Sequence, residues 1–119
     1  MSTFTVPVVL MHPEHRDRSV EANLLVDTGS SYILLPPDVV SGLGLATPYE
    51  RRAMLASGER VTYRIGEVRI QVGDEACTTI FLAGPPGCRA LLGAVVLEQL
   101  ALAADPRTGR LIPGPPALL

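Results

Sequence analysis

Residues 24–36 read LLVDTGSSYILLP, an aspartate followed by small residues and set between two apolar runs. Val20 to Val26 has the composition of a strand and Tyr32 to Leu35 is apolar again, so the pattern predicts a strand, a tight polar loop and another strand. An aspartate leaving a buried strand into such a loop is held in fixed geometry and partly desolvated, the setting in which carboxyl groups are tuned for chemistry. Gly29 removes a side chain where another backbone can approach. Thr28, Ser30 and Ser31 bring hydroxyls able to orient the carboxylate and satisfy loop amides. Asp-Thr-Gly is also an ordinary turn composition, and at average residue usage it arises by chance in roughly one chain of this length in forty. The hydrophobic run on both sides argues against a plain surface turn.

Outward from this loop the chain alternates short apolar segments with turns. Thr3 to Leu10 reads as a strand with Phe4, Val6, Val8 and Leu10 on one face, followed by a polar loop from His12 to Ser19. Pro36-Pro37-Asp38 ends the strand after the aspartate loop and opens a short helical turn through Val39-Val40. Arg52 to Leu55 and Val61 to Ile65 form a hairpin with Ser57-Gly58-Glu59 at its tip. A second alternation, Val68, Ile70 and Val72, runs to a turn at Gly73-Asp74, and Thr78 to Ala83 gives a further strand. A helix is expected from about Gly93 to Ala103, with Val96, Leu97, Leu100 and Ala101 on one face. Asp105-Pro106 stops it, and Leu111-Ile112 is a short closing strand before a Pro-rich tail at 113–119.

The bulk numbers agree with a small β-rich domain. The chain has 119 residues and a mass of 12.6 kDa, enough for one domain and for a core that buries roughly two-thirds of the unfolded surface. Eleven Gly and eleven Pro break up a chain that is 47% hydrophobic, which favours short strands over long helices. Net charge is −2, and all ten basic residues are Arg. Neither a nucleic acid nor an anionic membrane is favoured as a partner. No stretch approaches the roughly 20 apolar residues of a spanning helix. The start of the chain lacks the pattern of a secretory signal, and Cys77 and Cys88 form no CxxC, so two reduced thiols in a cytoplasmic protein are expected.

In the order of its features the sequence resembles the retropepsin-like (retroviral-type) aspartic proteases, and more closely their single-domain prokaryotic relatives. LLVDTGSS resembles the catalytic loop, ASGERVTYRIG lies where the family has its flap hairpin, and AGPPGCRALLG leads to a second signature of two apolar residues and Gly, here Leu91-Leu92-Gly93. GAVVLEQLALAADPRTGRL resembles the C-terminal helix and closing strand. The resemblance implies a closed acid-protease-like barrel of short strands with one C-terminal helix, spanning residues 1–112. The chain departs from many retroviral members at two matched positions. An Arg after the second-signature Gly and an Asp four residues beyond the catalytic one are replaced here by Ala94 and Ser31.

What the resemblance implies about function follows residue by residue. Asp27 matches the catalytic aspartate. Thr28 locks two loops across a symmetry axis, Gly29 presents backbone to a substrate peptide and Ser30 supports the carboxylate. Ser57, Gly58 and Glu59 of the flap cover an extended peptide bound like an added strand. Amide hydrolysis of this kind uses two carboxylates, and a chain with one such loop obtains the second from a C2 homodimer. No cofactor and no metal are needed. Leu25, Ile33, Leu82 and Leu91 are the expected apolar pocket residues. A non-catalytic dimerising or peptide-binding domain of the same fold is the alternative. Other candidates read as structural: Asp38, Asp74, Glu75 and Asp105 lie in turns, and Pro13 opposes the helix that a His12–His15 metal pair would need.

Overall fold

The computed structural model describes residues 4–119, in which nine strands and two short helices are found. The strands are β1 (Thr5–Met11), β2 (Ser19–Val26), β3 (Ile33–Leu35), β4 (Tyr49–Met54), β5 (Arg60–Val72), β6 (Glu75–Ala83), β7 (Leu91–Leu92), β8 (Leu102–Asp105) and β9 (Arg110–Pro113). The helices are α1 (Pro37–Leu43) and α2 (Ala94–Gln99). Thr3, the expected start of the first strand, lies outside the described residues.

Seven strands make one sheet in the order β1-β2-β7-β3-β6-β5-β4, and an additional β1–β5 pairing bends it into a ring with β4 hanging outside. The mostly β architecture is as expected, but the expected closed barrel is realised only as this ring. The short β3 and β7 share a single register pair, Leu34 with Leu91, and β1 meets β5 only over Val9–Met11. β2 and β7 run parallel, as do β3 and β6.

The alternation predicted for the first strand holds: Val6, Val8 and Leu10 turn inward, and Leu24, Val26, Ile33, Leu35, Val68, Ile70, Phe81 and Leu92 meet them in one core. Val96, Leu97 and Leu100 of the α2 region close its lower end. Burial of these side chains at about 1.5–3 kcal/mol each is what holds the ring together.

Two expectations about helices fail. The helix expected over 93–103 stops at Gln99. Ala101 adopts a left-handed conformation (φ 54°), and Leu102–Asp105 leave as β8, paired antiparallel with β9. Leu100 to Ala103 have good helix propensity, but the backbone hydrogen bonds of a hairpin and the packing of Leu102 against the core outweigh it. The count of one helix is also corrected, because the turn after Pro36-Pro37 grows into α1, with Pro at its first position and Gly44 (φ 67°) as a left-handed C-cap.

Candidate active site

Asp27 directly follows β2, which runs antiparallel to β1 and parallel to β7. Its N–H donates to the carbonyl of Leu92 on β7 at 3.0 Å, which fixes the backbone from which the carboxylate projects. The loop then turns back on the aspartate. Gly29 N–H donates to Asp27 Oδ1 at 3.1 Å, Ser30 Oγ donates to Oδ2 at 3.0 Å, and Ser30 N–H donates to the Asp27 carbonyl at 3.1 Å. Both carboxylate oxygens are therefore oriented by the loop's own small residues, as an Asx-turn allows. A Cβ on Gly29 would stand 3.3 Å from Oδ1. Thr28 is exposed, and its hydroxyl makes no hydrogen bond within the described residues.

The second signature, Leu91-Leu92-Gly93, braces this loop from beneath. A Cβ at Gly93 would fall 2.5 Å from the Tyr32 carbonyl oxygen and 2.8 Å from that of Ser30, so only glycine lets the two segments approach. The next two amides complete the joint, Ala94 N–H donating to Ser30 at 2.8 Å and Val95 N–H to Ser31 at 2.9 Å. Main-chain hydrogen bonds thus join the two segments at Ala94 and Ser31, the positions where the sequence departs from the retroviral pattern.

The strand register lays an apolar row across the face of the sheet opposite the core. Leu25 lies beside Leu91, Leu91 beside Leu34, Leu34 beside Leu82, Leu82 beside Ile65 and Ile65 beside Tyr49. Cα partners in register share a face, and Asp27 lies two residues beyond Leu25 along the chain. Ile65 and Leu82 are 5% and 8% exposed yet stand outside the main core cluster, so a second apolar layer exists beneath the flap. Three of the four expected pocket residues, Leu25, Leu82 and Leu91, fall on this row. Ile33 does not: it is fully buried in the core, and its neighbour Leu34 takes the place. Period-2 alternation from Ile33 and Leu35 would have found Leu34.

The hairpin expected to serve as a flap is formed by β4 and the first half of β5, with Met54 beside Arg60 as the last pair. Ser57, Gly58 and Glu59 occupy its exposed tip. Leu55 N–H donates to Glu59 at 2.8 Å, Gly58 N–H to Leu55 at 2.8 Å, and Gly58 takes φ 87°. The half-buried Arg51, Ala53, Val61 and Tyr63 form its inner face. Arg51 Nη1 donates to the Tyr32 hydroxyl at 2.8 Å, so the inner face stands against the loop that carries Asp27. Sequence reading singled out neither Arg51 nor Tyr32, since their 19-residue separation leaves no local signal.

The other candidates find structural roles. His12 Nδ1 accepts the N–H groups of Glu14 and His15 at 3.1 and 3.2 Å, capping its own loop. Asp105 caps the β8–β9 turn through Arg107 N–H and the Thr108 hydroxyl. Cys77 and Cys88 are both free thiols. Burial pushes both thiols up; the nearby Arg69 opposes this at Cys77, and Asp38 adds to it at Cys88. No group of three metal-ligating side chains occurs among the described residues, and no helix there is long and apolar enough to cross a membrane. A cavity of about 620 Å³ opens behind the flap base between His12, Tyr49, Arg51 and Glu67. Asp27, itself partly buried, is not among its lining residues.

Residues 15–102 match the family model of the aspartyl proteases. The chain therefore belongs to the aspartyl protease family. Among solved structures it is similar to EIAV protease complexed with the inhibitor HBY-793, with a TM-score of 0.57 at 20% identity over 81% of this chain and 86% of that one. That likeness is one of fold. No curated protein matches the sequence.

Proposed function

We propose that the protein is a homodimeric aspartic endopeptidase that hydrolyses peptide bonds in extended or unfolded polypeptide. The observation that carries this reading is the Asp27 carboxylate, oriented on both oxygens by Gly29 and Ser30 at the end of an apolar row and faced by a hairpin. One such carboxylate cannot serve as base and acid at once. A C2 dimer brings the two Asp27 side chains together at the axis, where two like charges at close range share a proton. One takes a proton from water as it attacks the scissile carbonyl, the other protonates the carbonyl oxygen, and collapse of the tetrahedral species returns a proton to the leaving amine. The Thr28 hydroxyl, which makes no hydrogen bond within the described residues, bonds across the axis in this reading. Gly29 offers backbone to a peptide lying along the Leu25–Leu91–Leu34 row, and Ser57, Gly58 and Glu59 close over it. No metal or cofactor enters this chemistry.

The test is cleavage of an unstructured peptide library by purified protein from acidic to near-neutral pH, with sedimentation for oligomeric state. Wild type is expected to be dimeric and active, and Asp27→Asn to remain dimeric while losing at least about 10³-fold in rate, the scale on which general acid–base groups contribute. Activity that survives Asp27→Asn would overturn the assignment. A dimer that is inert and does not bind a statine-type analogue would instead be a scaffold that retains the fold.

A further inference from the structure

Arg51 stands on the inner face of the hairpin with no carboxylate within ion-pair distance among the described residues. Its guanidinium has five N–H donors, and among the described residues its one hydrogen bond goes to the neutral hydroxyl of Tyr32, with the cation also 5.3 Å from the centroid of that ring. Among the described residues the only ion pair is Arg64 with Glu50, and Glu50 occupies the opposite face of β4. Glu14, Glu50 and Glu67 line the same cavity as Arg51, and none of them comes within ion-pair distance of it. Across the hairpin Arg51 is paired with Tyr63, another neutral group. A half-buried cation is thus held by the phenol of Tyr32, five residues beyond Asp27 along the loop, with donors to spare. A carboxylate is the partner that such a planar donor fork recognises best.

We propose that Arg51 makes this site selective for extended peptides in which acidic residues flank an apolar scissile pair. The inference rests on the reading of the site as a peptide-binding groove and adds the substrate class. The apolar row beneath the flap receives the side chains at the centre, and the Arg51 fork takes a Glu or Asp side chain nearby. Each copy of a C2 dimer supplies one Arg51, so the acidic positions fall on both sides of the scissile bond at matching distances. Tyr32 is a positioning residue here, since it fixes the direction of the guanidinium.

Two decapeptides with a shared Leu-Leu centre, carrying either glutamates or lysines at the flanking positions, test this. Cleavage of each is followed by chromatography, and binding of each is followed by fluorescence anisotropy with the central amide replaced by a reduced isostere. Wild type is expected to prefer the glutamate peptide by about tenfold or more in kcat/KM and in affinity, the scale of one charge-assisted hydrogen bond. Arg51→Lys keeps the preference, Arg51→Met levels it, and Arg51→Glu reverses it toward the lysine peptide, a reversal that a purely structural tether would not produce. Equal treatment of the two peptides by wild type, or an acidic preference that survives both Arg51→Met and Arg51→Glu, overturns the inference while leaving the hydrolase reading intact. If the glutamate peptide binds in an Arg51-dependent way but is not cut, the inference stands and the hydrolase reading falls. Binding of neither peptide overturns both.

Discussion

β5 is one strand with two lives, and its halves are best understood side by side. From Val68 to Val72 the even-numbered side chains enter the core, Val68 and Ile70 with no exposed surface, while Glu67 and Gln71 face out. From Val61 to Ile65 the odd-numbered side chains face inward instead, toward the flap's inner face and the apolar row. The pairing with β6 continues in register through the change, with Arg64 beside Ala83 and Val72 beside Glu75, so no bulge produces it. What changes is what covers each face. The segment around Ala46 crosses the even-numbered face at Gly66 and ends the core there, and the odd-numbered face becomes the covered one. The second half of β5 is held by β6 on one side and by β1 on the other. Most of the first half is held only by β4. One half is held on both edges, and the other mostly on one.

The sharpest way to break this division is at its hinge. A Cβ on Gly66 would lie 1.9 Å from the carbonyl oxygen of Ala46 and 3.1 Å from Phe81 Cε1. The first contact is with backbone and the second with a fully buried ring, so neither yields easily. Gly66→Ala is expected to destabilise the protein by about 3 kcal/mol, the upper range of overpacking, as read from the midpoint of urea unfolding. A loss below about 0.5 kcal/mol would mean that the crossing segment is not fixed against β5.

The two halves also predict opposite outcomes for similar truncations. Ile70→Ala removes buried methyl groups from the scaffold half and is expected to cost about 2–5 kcal/mol. Val61→Ala, on the flap half, is expected to change stability by under about 1 kcal/mol, because the site is half-exposed and makes no core contact. Its effect belongs in catalysis: if the flap clamps peptide through this face, kcat/KM falls while the unfolding midpoint barely moves. Equal stability losses at the two positions would abolish the distinction between scaffold and flap.

Much of this was legible in the sequence, for a reason the same strand illustrates. Periodicity reports which side chains are covered, and the two alternating runs, Val61-Tyr63-Ile65 and Val68-Ile70-Val72, were both visible. Their change of phase was visible too, but periodicity cannot say whether it marks a break between strands or one strand changing faces. The answer depends on Ala46, some 20 residues away. The Asp27 loop was legible because its geometry is local: Gly29 and Ser30 orient the carboxylate within three residues. Gly93 could be picked out as part of a signature, whereas the reason for it, two carbonyls under 3 Å from a would-be Cβ, is tertiary. The Arg51–Tyr32 contact and the end of the helix at Gln99 are tertiary in the same sense. In both, a distant partner decides what local propensity leaves open.

The mildest test of the comparison lies at the flap tip. Gly58 holds φ 87°, a conformation that costs an L-residue about 1–2 kcal/mol, but no atom outside its chain neighbours lies within 4 Å of its would-be Cβ. Gly58→Ala therefore strains the turn without striking anything. If the flap half opens independently of the scaffold, that strain is relieved locally: amide hydrogen exchange is expected to accelerate from Met54 to Val61, while the amides of Val68 and Ile70 keep their wild-type protection. Acceleration spread evenly through both halves would show that flap and scaffold unfold as one unit, and the division of β5 would then describe which faces are covered and not how the strand moves.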